Sequence, residues 1–115
     1  MSIRKVEKPW GHEIVWAENE KYLGKILYIK EGHRLSRQYH EKKDETIFVL
    51  EGRLFVEIGD AEDPAKFTLS EGKSERIMPG AIHRFCATCG TDVKLIEVST
   101  PEIDDVVRLE DDYDR

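Results

Sequence analysis

The chain has 115 residues, 39% of them hydrophobic and 37% charged, and its 18 basic and 24 acidic residues leave a net charge of −6. This length suits one compact domain around one core. The acidic balance, without a stripe of clustered Lys and Arg, excludes a nucleic-acid backbone as the expected ligand, since counterion release needs grouped cations; a small anion needs only one or two placed cations.

In chain order, residues 1–23 read as an N-terminal arm. The stretch Met1 to Trp10 carries Arg4, Lys5, Glu7 and Lys8 and lacks the continuous apolar segment of a signal peptide. No run approaches the roughly 18 apolar residues of a membrane span, so a cytoplasmic protein without a membrane partner is expected. From about residue 24 to 100 the pattern is short strands broken by turn residues. Lys25 to Lys30 is β-branched and aromatic and ends at Glu31-Gly32. Glu45 to Leu50 runs to the Glu51-Gly52 turn, and Arg53 to Ile58 alternates with Leu54, Val56 and Ile58 on one face, so these two read as a hairpin. Lys66–Leu69, Glu75–Met78, Ile82–Cys86 and Val93–Ser99 read as further strands. Such a series predicts a closed or double-sheet all-β domain. The segment 101–115 is acidic with Ile103, Val106, Val107 and Leu109, which predicts a short ordered piece packed on the barrel and then a frayed end.

The chemistry concentrates in two segments. Between Gly32 and Gly52 lie Gln38, His40 and Glu45; on an extended strand Gln38 and His40 face the same side, and a following turn returns Glu45 beside them. Farther on, Met78-Pro79-Gly80 precedes His83 at the start of a later strand. Two imidazoles, a carboxylate and an amide oxygen make a mixed N/O donor set for one divalent ion, with Zn, Mn, Fe, Co and Ni all compatible. Singly, each residue reads as an ordinary polar surface group; the combination between turn glycines is what points to metal. Cys86 and Cys89 have no second cysteine pair to complete a zinc site and read as a strand end and loop. Trp10 reads as a core aromatic. His12 and His33 have no spacing partners.

The order Gly, ligand pair, Glu, Gly, then Gly, Pro-containing turn, His resembles the cupin superfamily, whose fold is a double-stranded β-helix or jelly-roll barrel. The match is similar in detail to the C-terminal cupin domain of type II mannose-6-phosphate isomerases. Lys8-Pro9-Trp10-Gly11-His12-Glu13, Leu35-Ser36-Arg37-Gln38-Tyr39-His40, Ile77 to Arg84, Leu95 to Val98 and Asp104 to Arg108 with Glu110 to Tyr113 carry it. Glu41, Lys42 and Lys43 stand where that branch has more His and an Arg, and Phe85-Cys86-Ala87-Thr88 replaces its Leu-Glu-Asn-Pro. The resemblance implies a metal-dependent aldose–ketose isomerase acting on a sugar or sugar phosphate. There the metal acts as a Lewis acid and a base moves the proton. Glu97 and Lys25 are the candidates for proton transfer, and Arg84 and Lys43 for holding a sugar oxygen or phosphate, with Arg84 alternatively paired to an acid of the tail. The alternatives are a non-catalytic carbohydrate-binding or sensing cupin, supported by the changes at 41–43 and 85–88, and a metal-dependent cupin dioxygenase, which Gln38 in place of a further His disfavours. A homodimer is expected by analogy, with residues 3–10 adding to a neighbour's sheet edge.

Overall fold

The structure, a computed structural model, describes residues 3–115; Met1 and Ser2 of the expected arm lie outside the described residues. Eleven strands follow in chain order: β1 (Arg4–Lys8), β2 (Gly11–Glu18), β3 (Leu23–Ile29), β4 (Arg37–Tyr39), β5 (Glu45–Glu51), β6 (Leu54–Ile58), β7 (Ala65–Leu69), β8 (Ser74–Ile77), β9 (His83–Cys86), β10 (Val93–Ser99) and β11 (Val107–Glu110). Among the described residues no helix is long and apolar enough to cross a membrane. The strands form two antiparallel sheets. Sheet A has the order β1-β2-β3-β10-β5-β8 and sheet B the order β11-β4-β9-β6-β7. The all-β, double-sheet expectation holds.

Alternation of side chains on each strand sends one set of residues into the space between the sheets. Leu27, Ile29, Ile47, Val49 and Leu95 of sheet A meet Leu54, Val56 and Phe85 of sheet B in a single core. Toward one end of the molecule the same inward positions change chemistry. Along β10 the buried sequence runs Val93, Leu95, then Glu97; along β3 it reads Ile29, Leu27, then Lys25; along β5 it reads Val49, Ile47, then Glu45. The register places Glu97 opposite both Lys25 and Ile47, so three inward polar groups share one end of sheet A. The apolar end supplies burial energy and the polar end is left for chemistry.

Three expectations change. β5 and β6 are not a hairpin: β5 lies between β10 and β8 in sheet A, while β6 pairs with β7 and β9 in sheet B. The chain crosses between sheets at Glu51-Gly52, which local alternation does not distinguish from a tight turn back. The expected arm is part of the sheet, since β1 pairs with β2 and β2 with β3. The end of the tail is not frayed, because the Tyr113 hydroxyl lies 3.0 Å from His33 Nδ1 and Arg115 pairs with Asp111 at 2.9 Å.

Gly52 makes the crossing possible. Its φ is +86°, and a Cβ there would fall 2.2 Å from the Asp92 carbonyl oxygen. Gly52→Ala is therefore expected to cost about 1–3 kcal/mol in backbone strain alone. Urea unfolding should show this as a lower midpoint with an unchanged slope.

Candidate metal centre

Four of the positions singled out in the sequence meet at the polar end. β4 directs Gln38 inward and the following residues bring in His40; β5 opens with Glu45; β9 opens with His83, directly across from Gln38 in the ladder. Here β4 and β5 belong to opposite sheets, so the return of Glu45 beside His40 is a crossing rather than a hairpin. One ligand atom each from His40, Glu45 and His83 lie within 4.8 Å of one another, and all three residues are buried. Glu45 Oε1 stands 3.4 Å from His40 Nε2 and 3.3 Å from His83 Nε2. Gln38 lines the same cavity, and its Oε1 accepts a hydrogen bond of 2.6 Å from the Ser36 hydroxyl.

The donor set fits a cation. His40 Nδ1 is 2.5 Å from the Asp105 carbonyl and His83 Nδ1 is 2.9 Å from the Ala81 carbonyl. A carbonyl can only accept, so each Nδ1 carries a proton; Nε2, turned toward Glu45, is then a lone pair in the neutral ring and a second donor in the charged one. His40 Nε2, His83 Nε2 and both Glu45 oxygens are buried without a hydrogen-bond partner. Lone pairs facing a carboxylate in a dry site are costly unless positive charge sits among them. The protein supplies part of that charge itself. Burial pushes the His40 pKa down, but the Glu45 carboxylate beside it raises it more, and the net shift is upward. Burial likewise opposes ionisation of Glu45, yet both imidazoles and Lys43 hold its carboxyl well below the usual range.

Glu97 and Lys43 complete the floor. Lys43 Nζ donates to Glu97 Oε2 at 3.0 Å and lies 3.6 Å from Glu45 Oε2. Burial and the nearby Glu45 charge push the Glu97 carboxyl up to about 7. Lys25 is buried as well and donates to Glu13 at 3.1 Å. Trp10, 3% exposed, belongs to the core and also walls the cavity.

The cavity is small, about 80 Å³, and its mouth carries Lys8, Arg108 and Arg115. Burial lowers the Lys8 pKa, and the neighbouring cations Lys25, Arg115 and Arg108 lower it further. Charges crowded in this way are relieved by an anion. Sequence reasoning passed over these three and Glu13. For Arg108 the missing information is a long-range pairing: β11 lies beside β4 and sets Arg108 across from Gln38. A wider hollow of about 320 Å³ beside His12, Tyr28 and Lys94 lies outside sheet A, away from the unpaired donors.

Arg84 lies elsewhere. It follows His83 on β9, so alternation turns it through the opposite face of sheet B. It is 2% exposed; its Nε donates to the Leu35 carbonyl at 2.9 Å, and its terminal nitrogens reach Asp112 at 3.0 Å and Glu110 at 3.4 Å. This is the alternative pairing with the tail, and it removes Arg84 from the cavity. Lys43 is inside the site but at its floor, tied to two carboxylates rather than extended to the mouth. Cys86 is buried, its thiol pushed up to about 11 by burial, and Cys89 is half-buried; neither lines the cavity.

Arg34, Arg37 and Arg84 together clamp the tail through Glu110 and Asp112. Hydrogen bonding to Arg34 lowers the Asp112 pKa, and hydrogen bonding to Arg37 lowers that of Glu110. Carboxyls depressed in the folded state stabilise docking above their unfolded pKa and lose that contribution as pH falls through the folded one. The tail is therefore expected to loosen only below the ordinary carboxylate range of about 4. Backbone amide shifts of residues 105–113, followed by NMR on acidification, should move before those of β3 and β10.

Comparison with known proteins places the chain. Residues 1–111 match the family described as "Mannose-6-phosphate isomerase C-terminal". The chain is 31% identical over 110 residues to mannose-1-phosphate guanylyltransferase RfbM of Salmonella typhimurium, covering 93% of this chain and 22% of that protein. It is 33% identical over 115 residues to the xanthan biosynthesis protein XanB of Xanthomonas campestris pv. campestris, covering 97% and 24%. It thus spans about a quarter of the length of these relatives. Among solved structures, KdgF from Halomonas sp. superposes with a TM-score of 0.75 at 20% identity, covering 90% of this chain and 91% of that one. A protein from Klebsiella pneumoniae with a double-stranded β-helix domain gives 0.73 at 17% identity, covering 84% and 81%. These likenesses establish the cupin fold.

Proposed function

The chain belongs to the mannose-6-phosphate isomerase C-terminal family, and from that premise we propose that it is a metal-dependent aldose–ketose isomerase acting on a sugar phosphate. His40, His83 and Glu45 hold the ion, with the Gln38 amide oxygen as fourth donor. The observation that carries the reading is the convergence of four unpaired buried donor atoms beside a carboxyl raised to about 7.

When bound, a divalent ion supplies Lewis-acid polarisation of the sugar's carbonyl and adjacent hydroxyl. Glu97 takes the proton from the carbon next to the carbonyl and returns it to the former carbonyl carbon, so that aldose and ketose differ only in where that proton and the hydroxyl proton end. In the metal-free protein burial and the Glu45 charge raise the Glu97 carboxyl to about 7, and a carboxyl that burial makes readier to hold a proton suits both halves of the exchange. Lys43, bonded to Glu97, is a positioning residue. Lys25, across the ladder from Glu97, serves a sugar hydroxyl or relays its proton. The phosphate is held at the mouth by Lys8, Arg108 and Arg115, and neither Arg84 nor Lys43 is needed for it. In 80 Å³ only the reacting end of the sugar enters, with the remainder in the mouth.

The small cavity favours one other reading, a module that binds a sugar without turning it over. The deciding experiment is conversion of mannose 6-phosphate to fructose 6-phosphate by protein stripped of metal and then reloaded with Zn, Mn, Fe, Co or Ni in turn. Turnover that returns with one ion supports the isomerase. Saturable sugar-phosphate binding without turnover establishes the binding module instead, and tight metal uptake with neither removes both.

A further inference from the structure

The last strand serves both faces of sheet B. β11 is an edge strand paired with β4, and none of its four residues is buried, so apolar packing contributes little to holding it. Regular alternation would turn Arg108 and Glu110, two positions apart, to the same side. A bulge separates them: Arg108 lies across from Gln38 and Glu110 across from Arg37, which leaves Leu109 as the extra residue. Arg108 thereby lines the cavity, while Glu110 turns outward with its Oε2 2.9 Å from Arg37 Nε. Two residues on, Asp112 is gripped from two sides. Arg34 donates to both of its oxygens, at 2.6 and 3.0 Å, and Arg84 Nη2 donates to Oδ1 at 3.0 Å. Arg84 is itself fixed, being buried and bonded to the Leu35 carbonyl.

We propose that Asp112 is a positioning residue for the cavity on the other face of the sheet. This rests on the proposed function and names the group that keeps the phosphate-holding Arg108 and the ligand His40 in place. Two routes lead from Asp112 into the site. The first is β11 itself: a strand without apolar support keeps Arg108 at the mouth only while its far end is anchored, and paired charge-assisted bonds to a rigid guanidinium give a directional anchor. The second passes through Asp105, three residues before Arg108. Its carbonyl accepts from His40 Nδ1, and its carboxylate accepts from the N–H groups of Glu41, Lys42 and Lys43 at 3.1, 2.7 and 2.9 Å. That turn follows His40 and carries Lys43 to Glu97. An edge strand freed at its end opens locally and takes these bonds with it. Asp112 thus acts through the tail on both sides of the site, without touching the cavity.

A double-mutant cycle between Asp112→Ala and Arg108→Ala in the whole chain, read as the Kd of the zinc-saturated protein for mannose 6-phosphate, tests the proposal. Zinc affinity of the metal-stripped protein and amide hydrogen exchange are the further readouts. Asp112→Ala alone should weaken sugar-phosphate binding by about tenfold, and the double variant should bind no more weakly than the weaker single one, because Arg108 is already displaced. Asp112→Glu, which keeps the charge, should recover part of the loss. Zinc should bind about tenfold more weakly in Asp112→Ala. The amides of Glu41, Lys42 and Lys43 should exchange about tenfold faster, with those of β3 and β10 unchanged. Asp112 is 39% exposed and Arg34 41%; if Asp112→Ala does not fold, Arg34→Ala opens the same pair and takes its place in the cycle. Unchanged exchange at residues 41–43 overturns the proposal. So do additive losses, or faster exchange with both affinities unmoved, since Asp112 then only stabilises the tail. A wild type that binds neither zinc nor mannose 6-phosphate fails the proposed function and removes the positioning role with it; affinities present in the wild type and equal in the variant overturn this inference alone.

Discussion

His40→Ala combined with His83→Ala is expected to take the protein from one bound divalent ion per chain to none. The wild type gathers four buried atoms, two imidazole nitrogens and two carboxylate oxygens, with no internal hydrogen-bond partner, and on the proposed reading an ion would satisfy them. A ligand held at about a thousand times its Kd adds about 4 kcal/mol to folding stability. For a domain of this length that raises Tm by about 15 °C or more. Elemental analysis of protein purified without added metal gives the stoichiometry, and melting with and without added ion gives the shift, which should vanish in the double variant. The metal-free variant itself should be less stable than the metal-free wild type, because two buried rings are lost and Glu45, whose carboxylate both imidazoles favour, keeps only Lys43 at 3.6 Å. Gln38→Ala should weaken affinity by about tenfold to a hundredfold and leave the stoichiometry intact. Binding should also weaken as pH falls, since the ion competes with protons for both imidazoles and the His40 pKa lies above its ordinary value. Equal metal content in wild type and double variant would place the ion elsewhere and remove the basis of the proposed function.

How much of this was legible in the sequence depends on the range of the interaction involved. Strand alternation is local, and it brought out β3 and β5 through β10, with the shared facing of Gln38 and His40 and the place of His83 at the start of a later strand. The same rule, applied one residue further, turns Arg84 to the opposite face, so its removal from the cavity was readable beside His83. Lys43 shares the parity of Glu45, but a lysine between polar neighbours looks solvated until Glu45 and Glu97 supply its counter-charges. The crossing at Gly52 was hidden because a tight turn and a change of sheet can have the same local sequence. The contribution of the tail was hidden for a stronger reason. The Asp105 carbonyl fixes His40, and the Asp105 carboxylate accepts backbone N–H bonds from Glu41, Lys42 and Lys43, across more than sixty residues of chain. Only the closed sheet brings those groups together.

Glu97→Gln is the sharper test of the chemistry. The substitution keeps the shape of the side chain and its hydrogen-bonding contact with Lys43, leaves His40, His83 and Glu45 in place, and removes the proton acceptor. Metal content should be unchanged, while kcat for mannose 6-phosphate should fall by about 10²- to 10⁴-fold with little change in KM. A second readout is independent of the substrate. In the metal-free protein the Glu97 carboxyl rises from 4.5 to about 7, so the folded state holds a proton that the unfolded chain has released across that window. Stability then falls as pH rises through the window, because the native state binds more protons than the unfolded one. Urea midpoints of the metal-free wild type should drop between about pH 5 and about pH 8, and the drop should be smaller in Glu97→Gln. The two readouts separate the possible failures. A flattened pH profile with full turnover would keep Glu97 as a buried acid and transfer the proton-moving role to Lys25. An unchanged profile with lost turnover would keep its catalytic role and locate the raised carboxyl elsewhere in the cluster of Glu45, Lys43 and Glu97.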